Sequence, residues 1–474
     1  RDGSSGVAVT DHSAAAARRK GGDLMRRVLV GLGALALSSC LLGLTTANSR
    51  SLAAAPMPAA GAISPASPIK HVVILYQENH TFDDVLGAVC QTRENPCNGY
   101  TAPVTFKDGI TAENVVQPDL VPNVTHDPHS QRLGITNRWD RVMGCRDAPY
   151  YCVSHVDPSN IPNLANYANT FTVSDATFAA GHAASFSAHV SLGAGTFDGF
   201  SGWNPFPGLW GCEARNDAYW GPRKDLNLQP TCIPDEHGDG PYRPSEVPYA
   251  PTIMERLEQK HLSWHIYEGQ RPQVKPNLSN FSVCTFFYWC YDNRYTLQWD
   301  SSDQGFLLAA AHGTLPNLSI MIPDFGVSQH NNTSMAKGDN YIGKMVSAVM
   351  NGPDWESTAI FITYDDCGCF YDHVKPPTKK MGLRNPMVII SPWAKPQGTD
   401  STPAIQPYSA LAFVEHVFQL RPLSKEVSAA YDYANSFDFT QGPLSGVPMV
   451  HIRVPKSELR KIARLMPLVE NDPT

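Results

Sequence analysis

The sequence predicts an α/β fold whose central sheet is mostly parallel and covered on both faces. Three observations predict it. Short, continuous apolar runs rich in β-branched and aromatic residues recur along the chain, as in strands buried on two sides. Segments with helical periodicity lie between them, and that alternation is the pattern of a parallel sheet. Apolar residues make up 42% of the 474 positions and charged ones only 17%, which is ample for a large core and excludes disorder over most of the chain.

The elements follow in order. Residues 69–77 carry Val72, Val73, Ile74 and Leu75 and form the first strand. Residues 171–177 form a second, weaker one. A helix opens at Pro251-Thr252 and runs through Leu257. Strands are expected at 263–267, 318–322, 358–364 and 386–391. Ile342, Met345, Val346, Val349 and Met350 recur at helix spacing, as do Leu411, Val414, Val417 and Phe418 after a start at Pro407. Stretches rich in Cys, Pro, Gly and Trp near 90–160, 200–250 and 270–300 read as long loops or a cap.

Residues 1–24 are an extra N-terminal segment rich in Gly, Ala and Ser. Residues 25–55 form a signal-peptide region: Met25, then Arg26-Arg27, then an uncharged apolar run to Leu44, then small residues. Residues 56–68 are an Ala/Pro/Ser linker, 69–455 the folded domain, and 456–474 a C-terminal tail. The expectation is export to the periplasm, the cell surface or beyond. Leu37-Ser38-Ser39-Cys40 adds the alternative of a lipoprotein held through Cys40. Membrane contact is expected only through the signal or that anchor.

The net charge is −7 with no dense basic block, which argues against a nucleic-acid partner. Setting Cys40 aside, ten of the eleven cysteines remain, and an even count in an exported chain favours disulfides. Neighbours pair as 90–97, 145–152, 212–232 and 284–290, each stapling a loop. Cys367-Gly368-Cys369 is too tight for an unstrained ring and stays unassigned.

Polar residues follow the strands. Glu78, Asn79 and His80 follow the first. Asp365 and Asp366 follow 358–364, and Asp324, with His330 close behind, follows 318–322. Ser185 comes after 171–177. In open parallel sheets, ligands bind beyond the carboxyl ends of the strands. Glu78, Asn79, Asp365 and Asp366 are oxygen donors suited to one divalent cation: Mg, Ca, Mn or Zn. A serine beside such a cation becomes a better nucleophile, and histidines protonate a leaving oxygen. The set suits phosphoryl transfer.

The run from Ile69 to Asp83, centred on Gln77-Glu78-Asn79-His80-Thr81-Phe82-Asp83, resembles the opening motif of the bacterial phosphoesterase family of phospholipases C and acid phosphatases. Residues 355–377, with Asp365-Asp366 and Phe370-Tyr371-Asp372-His373-Val374, resemble its second signature. His126-Asp127-Pro128-His129-Ser130 and residues 384–392 resemble two further elements, in the family's order. The resemblance implies a three-layer α/β/α fold, alkaline-phosphatase-like, with disulfide-stapled insertions. It implies metal ligands at Glu78, Asn79, Asp365, Asp366 and Ser185, with Ser185 also the nucleophile, and phosphate-facing histidines at His129, His330 and His373. Ala188 stands where the family has Asn, and Ala183-Ala184 and Cys367/Cys369 stand where it has glycines. Ser187 is the second choice of nucleophile. His80, His182 and His189 read as structural.

The expected function is hydrolysis of phosphate monoesters through Ser185. The alternatives are a phospholipase C acting on lipid headgroup esters, and a non-catalytic surface protein that binds phosphate or lipid.

Overall fold

The apolar runs become strands because each buries both faces. In the computed structural model, which describes residues 62–469 apart from 65, 146–148, 204–209, 269–281, 294–298 and 301, eight strands form one sheet. In chain order they are β1 His71–Gln77, β2 Thr172–Ser174, β3 Trp264–Glu268, β4 Trp299–Asp300, β5 Leu318–Ile322, β6 Thr358–Tyr364, β7 Met387–Ile390 and β8 Thr399–Asp400. Across the sheet the order is β4-β3-β5-β1-β6-β7-β2-β8. Every pairing is parallel except those of β7, which runs antiparallel to both β6 and β2.

Alternation along the strands sends side chains to two separate cores. Val72, Ile74 and Tyr76 of β1 join one, with Phe361 of β6 and Ile389 of β7. Val73 and Leu75 join the other, with Ile360, Ile362 and Val388. Helices complete the layers. In chain order they are α1 Phe82–Thr92, α2 Pro128–Ile135, α3 Pro162–Thr170, α4 Ser185–Ala194, α5 Ile253–Glu258, α6 Asp303–His312, α7 Met335–Met350 and α8 Tyr408–Phe418. α4, α5 and α8 cover the first face through Phe186, Val190, Ile253, Leu257, Leu411 and Val414. α1, α3, α6 and α7 cover the second through Val85, Leu86, Leu164, Phe306, Ile342 and Val346. Each such fully buried aliphatic side chain contributes about 1.5–3 kcal/mol. This is the three-layer α/β/α arrangement that the resemblance implies.

Local signals set the helix ends. Thr252 caps α5 with a capping box: its hydroxyl accepts from Glu255 N–H (3.2 Å), and Glu255 Oε2 accepts from Thr252 N–H (2.7 Å). α7 begins at Ser334, whose hydroxyl accepts from Lys337 N–H (3.1 Å), a turn and more before its apolar periodicity starts.

The expected strand at 171–177 is divided. Its first part is β2, and Thr177–Ala179 leaves the sheet to pair with Ala404–Gln406. Within the loop region 200–250, Asp217–Trp220 and Asn227–Pro230 form an antiparallel hairpin, and Cys212–Cys232 brackets it. The 90–97, 145–152 and 284–290 pairs are also bonded, while Cys367 and Cys369 are buried free thiols 3.6 Å apart. The signal region and Cys40 lie outside the described residues, as does most of the linker. The tail begins with a helix, Lys456–Val469. Among the described residues no helix is long and apolar enough to cross a membrane.

Candidate active site

The central strands deliver the acidic groups together. Gln77 at the end of β1 pairs in register with Tyr364 at the end of β6, so Glu78 and Asp365 leave the sheet side by side. Asp365 N–H donates to Gln77 O (3.0 Å). Asp365 Oδ1 accepts from Asn79 N–H (2.9 Å) and Asp366 N–H (2.7 Å), and Asp366 Oδ1 accepts from Gly368 N–H (2.7 Å). Asn79 has φ of 57° and Gly368 of 52°. A Cβ at Gly368 would lie 2.0 Å from Asn79 O, so only glycine lets this turn close on the first motif.

Ser185 opens α4 with no side-chain cap at Ala184. The first-turn N–H groups of a helix have no partner within it, and the positive end of the dipole lies there. The Ser185 hydroxyl is 3.4 Å from both Glu78 Oε2 and Asn79 Oδ1. One turn later, His189 Nδ1–H donates to Ser185 O (2.8 Å), which fixes the tautomer and leaves the Nε2 lone pair 3.5 Å from Glu78 Oε1. Two acceptors at that distance need a proton or a cation between them. Glu78, His189 and Asp365 each present a ligand atom within 4.8 Å of the others. Ser185, Glu78 and Asp365 are at most 2% exposed.

The electrostatics match this crowding. Burial pushes the Glu78 carboxyl well above its ordinary range, and the neighbouring Asp365 charge pushes it further. Burial and Asp365 do the same to Asp366, whose Oδ2 is buried with no hydrogen-bond partner among the described residues. Burial holds His189 below its ordinary value, in the neutral form. Buried carboxylates that disfavour ionisation, with a neutral imidazole among them, suit a divalent cation.

The other histidines fall in different places. His126 lies in the element that drew attention to His129 and was given no role itself, yet its Nε2 accepts from Asn79 Nδ2 (3.0 Å) while its Nδ1–H donates to Val124 O (3.1 Å). That orients the amide so that Asn79 Oδ1 faces Ser185. His330 packs edge-on against the His126 ring at 5.5 Å and donates Nδ1–H to Asn331 O (2.9 Å). His129 is exposed on α2 and lines a groove of about 850 Å3 with Arg132, Phe197, Trp203, Arg223 and Tyr408. The groove does not include Ser185 in its lining, but its wall adjoins the loop that precedes the serine. Gln131 Nε2 donates to His126 O (2.9 Å) and Ala183 O (2.7 Å), and Gly202 packs against the Ala183-Ala184 backbone.

None of the hydrogen bonds of His373 goes to Ser185 or the acidic cluster. It shares Asp83 Oδ2 (2.6 Å) and Asn98 Oδ1 (3.0 Å), beside Arg384, which spans Asp83 and Asp372 (2.9 Å each). This network ties the second signature to α1. Arg384 is fully buried, so Arg384→Ala takes the guanidinium from two buried carboxylates, of which Asp83 keeps His373, and is expected to destabilise by about 3–5 kcal/mol. Thermal unfolding checks this; a midpoint unchanged within a degree rules the network out as a structural tie.

Sequence reading placed His189 among structural residues, whereas it stands in the acidic cluster. The signal was present: position i+4 from Ser185 shares its helix face. For His126 the signal was its place in the His126-Asp127-Pro128-His129-Ser130 element; a loop has no periodicity to add to it.

A profile of the phosphoesterase family matches residues 69–421. Phospholipase C A of Mycobacterium tuberculosis (strain ATCC 25618 / H37Rv) is 24% identical over 357 residues, 68% of this chain and 62% of that protein. Non-hemolytic phospholipase C of Burkholderia pseudomallei is 24% identical over 430 residues, 74% of this chain and 55% of its own. Non-specific phospholipase C1 of Arabidopsis thaliana is 23% identical over 442 residues, 80% and 73%. The chain thus spans little more than half of these bacterial relatives. A solved alkaline phosphatase superfamily protein from Vibrio parahaemolyticus overlaps 87% of this chain and 90% of its own at 10% identity, with a TM-score of 0.38, too low to add to the topology. With the profile covering both signatures and the serine helix between them, the chain belongs to the phosphoesterase family.

Proposed function

We propose that the chain hydrolyses phosphate esters by transferring the phosphoryl group to Ser185 and then to water. The observation that carries this is the Ser185 hydroxyl, 3.4 Å from both Glu78 and Asn79 at a helix N-terminus. Glu78, Asn79, Asp365, Asp366 and His189 would hold one divalent cation. Bound there, it supplies positive charge against the phosphate oxygens and favours the serine alkoxide. The unpaired N–H groups of α4 receive the non-bridging oxygens. Ser185 Oγ, its proton passing to Glu78 Oε2, forms the new bond to phosphorus as the ester oxygen leaves in line. That oxygen takes its proton from the groove side, where His129 is the exposed imidazole. Water then attacks the phosphoserine, and the hydroxyl is restored.

The Ser-Phe-x-x-His pattern from Ser185 to His189 favours a monoester as substrate. The names of the relatives favour the second reading, a phospholipase C. Four disulfides support a site of action outside the cytoplasm. The test uses the full chain, made under oxidising conditions, with 4-nitrophenyl phosphate and 4-nitrophenyl phosphocholine side by side. Monoester turnover lost with chelator and restored by a divalent cation is the expected result. Preference for the choline ester moves the reading to phospholipase C. Binding of phosphate without turnover of either ester moves it to the non-catalytic alternative.

A further inference from the structure

The groove adjoining the Ala183-Ala184 loop carries charge that the proposed transfer does not use. Arg132, within α2, and Arg223, in the hairpin turn after Trp220, both line it. The arginine ion pairs among the described residues belong to Arg138, Arg141, Arg243 and Arg384, and neither groove arginine forms one. Arg132 is near enough to Arg223 to feel its charge: after burial, Arg223 is the main influence lowering Arg132, and Asp127 opposes it less. The field reaches His182, beside the serine loop, which burial and then both arginines hold below its ordinary value. The one acid on the lining among the described residues, Glu426, sits 3.6 Å from Lys425.

Two guanidiniums without ion pairs on the lining of one partly enclosed groove repel each other and favour an anion between them. At about 850 Å3 the groove is far larger than one phosphate, and Phe197, Trp203 and Tyr408 give it apolar walls for a carbon skeleton. Gln131 lies between His129 and Arg132 on α2 and holds the Ala183 carbonyl (2.7 Å), so groove and nucleophile share one support.

We propose that Arg132 and Arg223 bind a second anionic group on the leaving portion of the ester, so that the substrate class is a bis-anionic phosphate ester. This rests on Ser185 as the phosphoryl acceptor. The second anion comes from a soluble bisphosphate or from a phosphorylated lipid headgroup; the chemistry is shared.

The experiment compares kcat/KM for propane-1,3-diol bisphosphate and its monophosphate, using the full chain. A parallel arm uses phosphatidylcholine vesicles carrying either phosphatidylinositol 4-phosphate, whose leaving portion keeps a phosphodiester anion, or phosphatidate, whose leaving portion is uncharged. The wild type is expected to prefer the bis-anionic member of at least one pair by about 10- to 100-fold. Arg132→Gln with Arg223→Gln is expected to bring that ratio near one, while Lys224→Gln, next to Arg223 but off the lining, keeps it. Discrimination in solution assigns the anion to a soluble ester, and discrimination on vesicles alone assigns it to a lipid headgroup. No preference in either arm, or a preference that survives the double substitution, overturns the proposal. If no ester turns over at all, the Ser185 reading fails by itself. Calorimetric titration of propane-1,3-diol bisphosphate then decides the groove: binding weakened tenfold by the double substitution keeps the assignment, and unaltered binding removes it.

Discussion

Ser185→Ala is expected to lower kcat by about three orders of magnitude or more, because removing a nucleophile leaves only the surrounding binding and charge stabilisation. Ser185 is the hydroxyl that meets Glu78 and Asn79 together. Ser187 is also buried, but two residues along a helix turn the side chain by about 200°, away from those groups. Ser187→Ala is therefore expected to stay within about threefold of wild type. Alanine is a good helix residue at the first position, so the loss does not reflect unfolding. Hydrolysis of 4-nitrophenyl phosphate gives the rate. Acid quenching followed by mass spectrometry locates the phosphoserine on the peptide containing Ser185. An active Ser185→Ala with an inactive Ser187→Ala transfers the role to Ser187.

Asp365→Asn is expected to lower activity by about a hundredfold or more and, with it, the response of stability to divalent cations. Asp365 Oδ1 already accepts from the N–H groups of Asn79 and Asp366, and an asparagine oxygen retains both bonds. What disappears is a charge shared with Glu78 and Asp366 in a nearly dry site. In the wild type, a cation at a hundred times its dissociation constant stabilises the fold by about 2.7 kcal/mol, and chelator removes that gain. In the variant the gain shrinks, while the cation-free protein is no less stable, since like-charge repulsion has been relieved. Thermal unfolding midpoints with chelator, Mg, Ca, Mn and Zn measure both effects. A wild-type midpoint indifferent to every cation means that a proton, held on Glu78 against His189, satisfies the cluster instead.

The sheet was legible where burial leaves an unambiguous mark. β5 and β6 coincide with runs read from the sequence, because both faces of each strand are apolar. The direction of β7 was not legible: a four-residue apolar run reads the same in either sense, and its reversal is decided by which neighbours it meets. β4 and β8 are two-residue edge strands, too short for any period. Residues 171–177 looked continuous because β2 and Thr177–Ala179 are both buried, and composition does not show that they belong to different sheets. For the site, strand-end positions carried Glu78, Asn79, Asp365 and Asp366, since register forces neighbouring strands to deliver them at one edge. The surroundings of His373 were not legible. Its partners Asp83 and Asn98 lie 290 and 275 residues away in sequence, beyond the reach of local patterns.

The four cross-links never interleave. Cys90–Cys97 closes before Cys145 is reached, Cys145–Cys152 before Cys212, and Cys212–Cys232 before Cys284, with separations of 7, 7, 20 and 6 residues. Among these eight cysteines, each bonded partner is the next one along the chain, so pairing neighbours in order yields the four links without reshuffling. The short loops also keep the entropic penalty of closure small. Cys367 and Cys369 lie beyond the last of these links, so the connectivity of the eight is a product of chain order as much as of the finished fold.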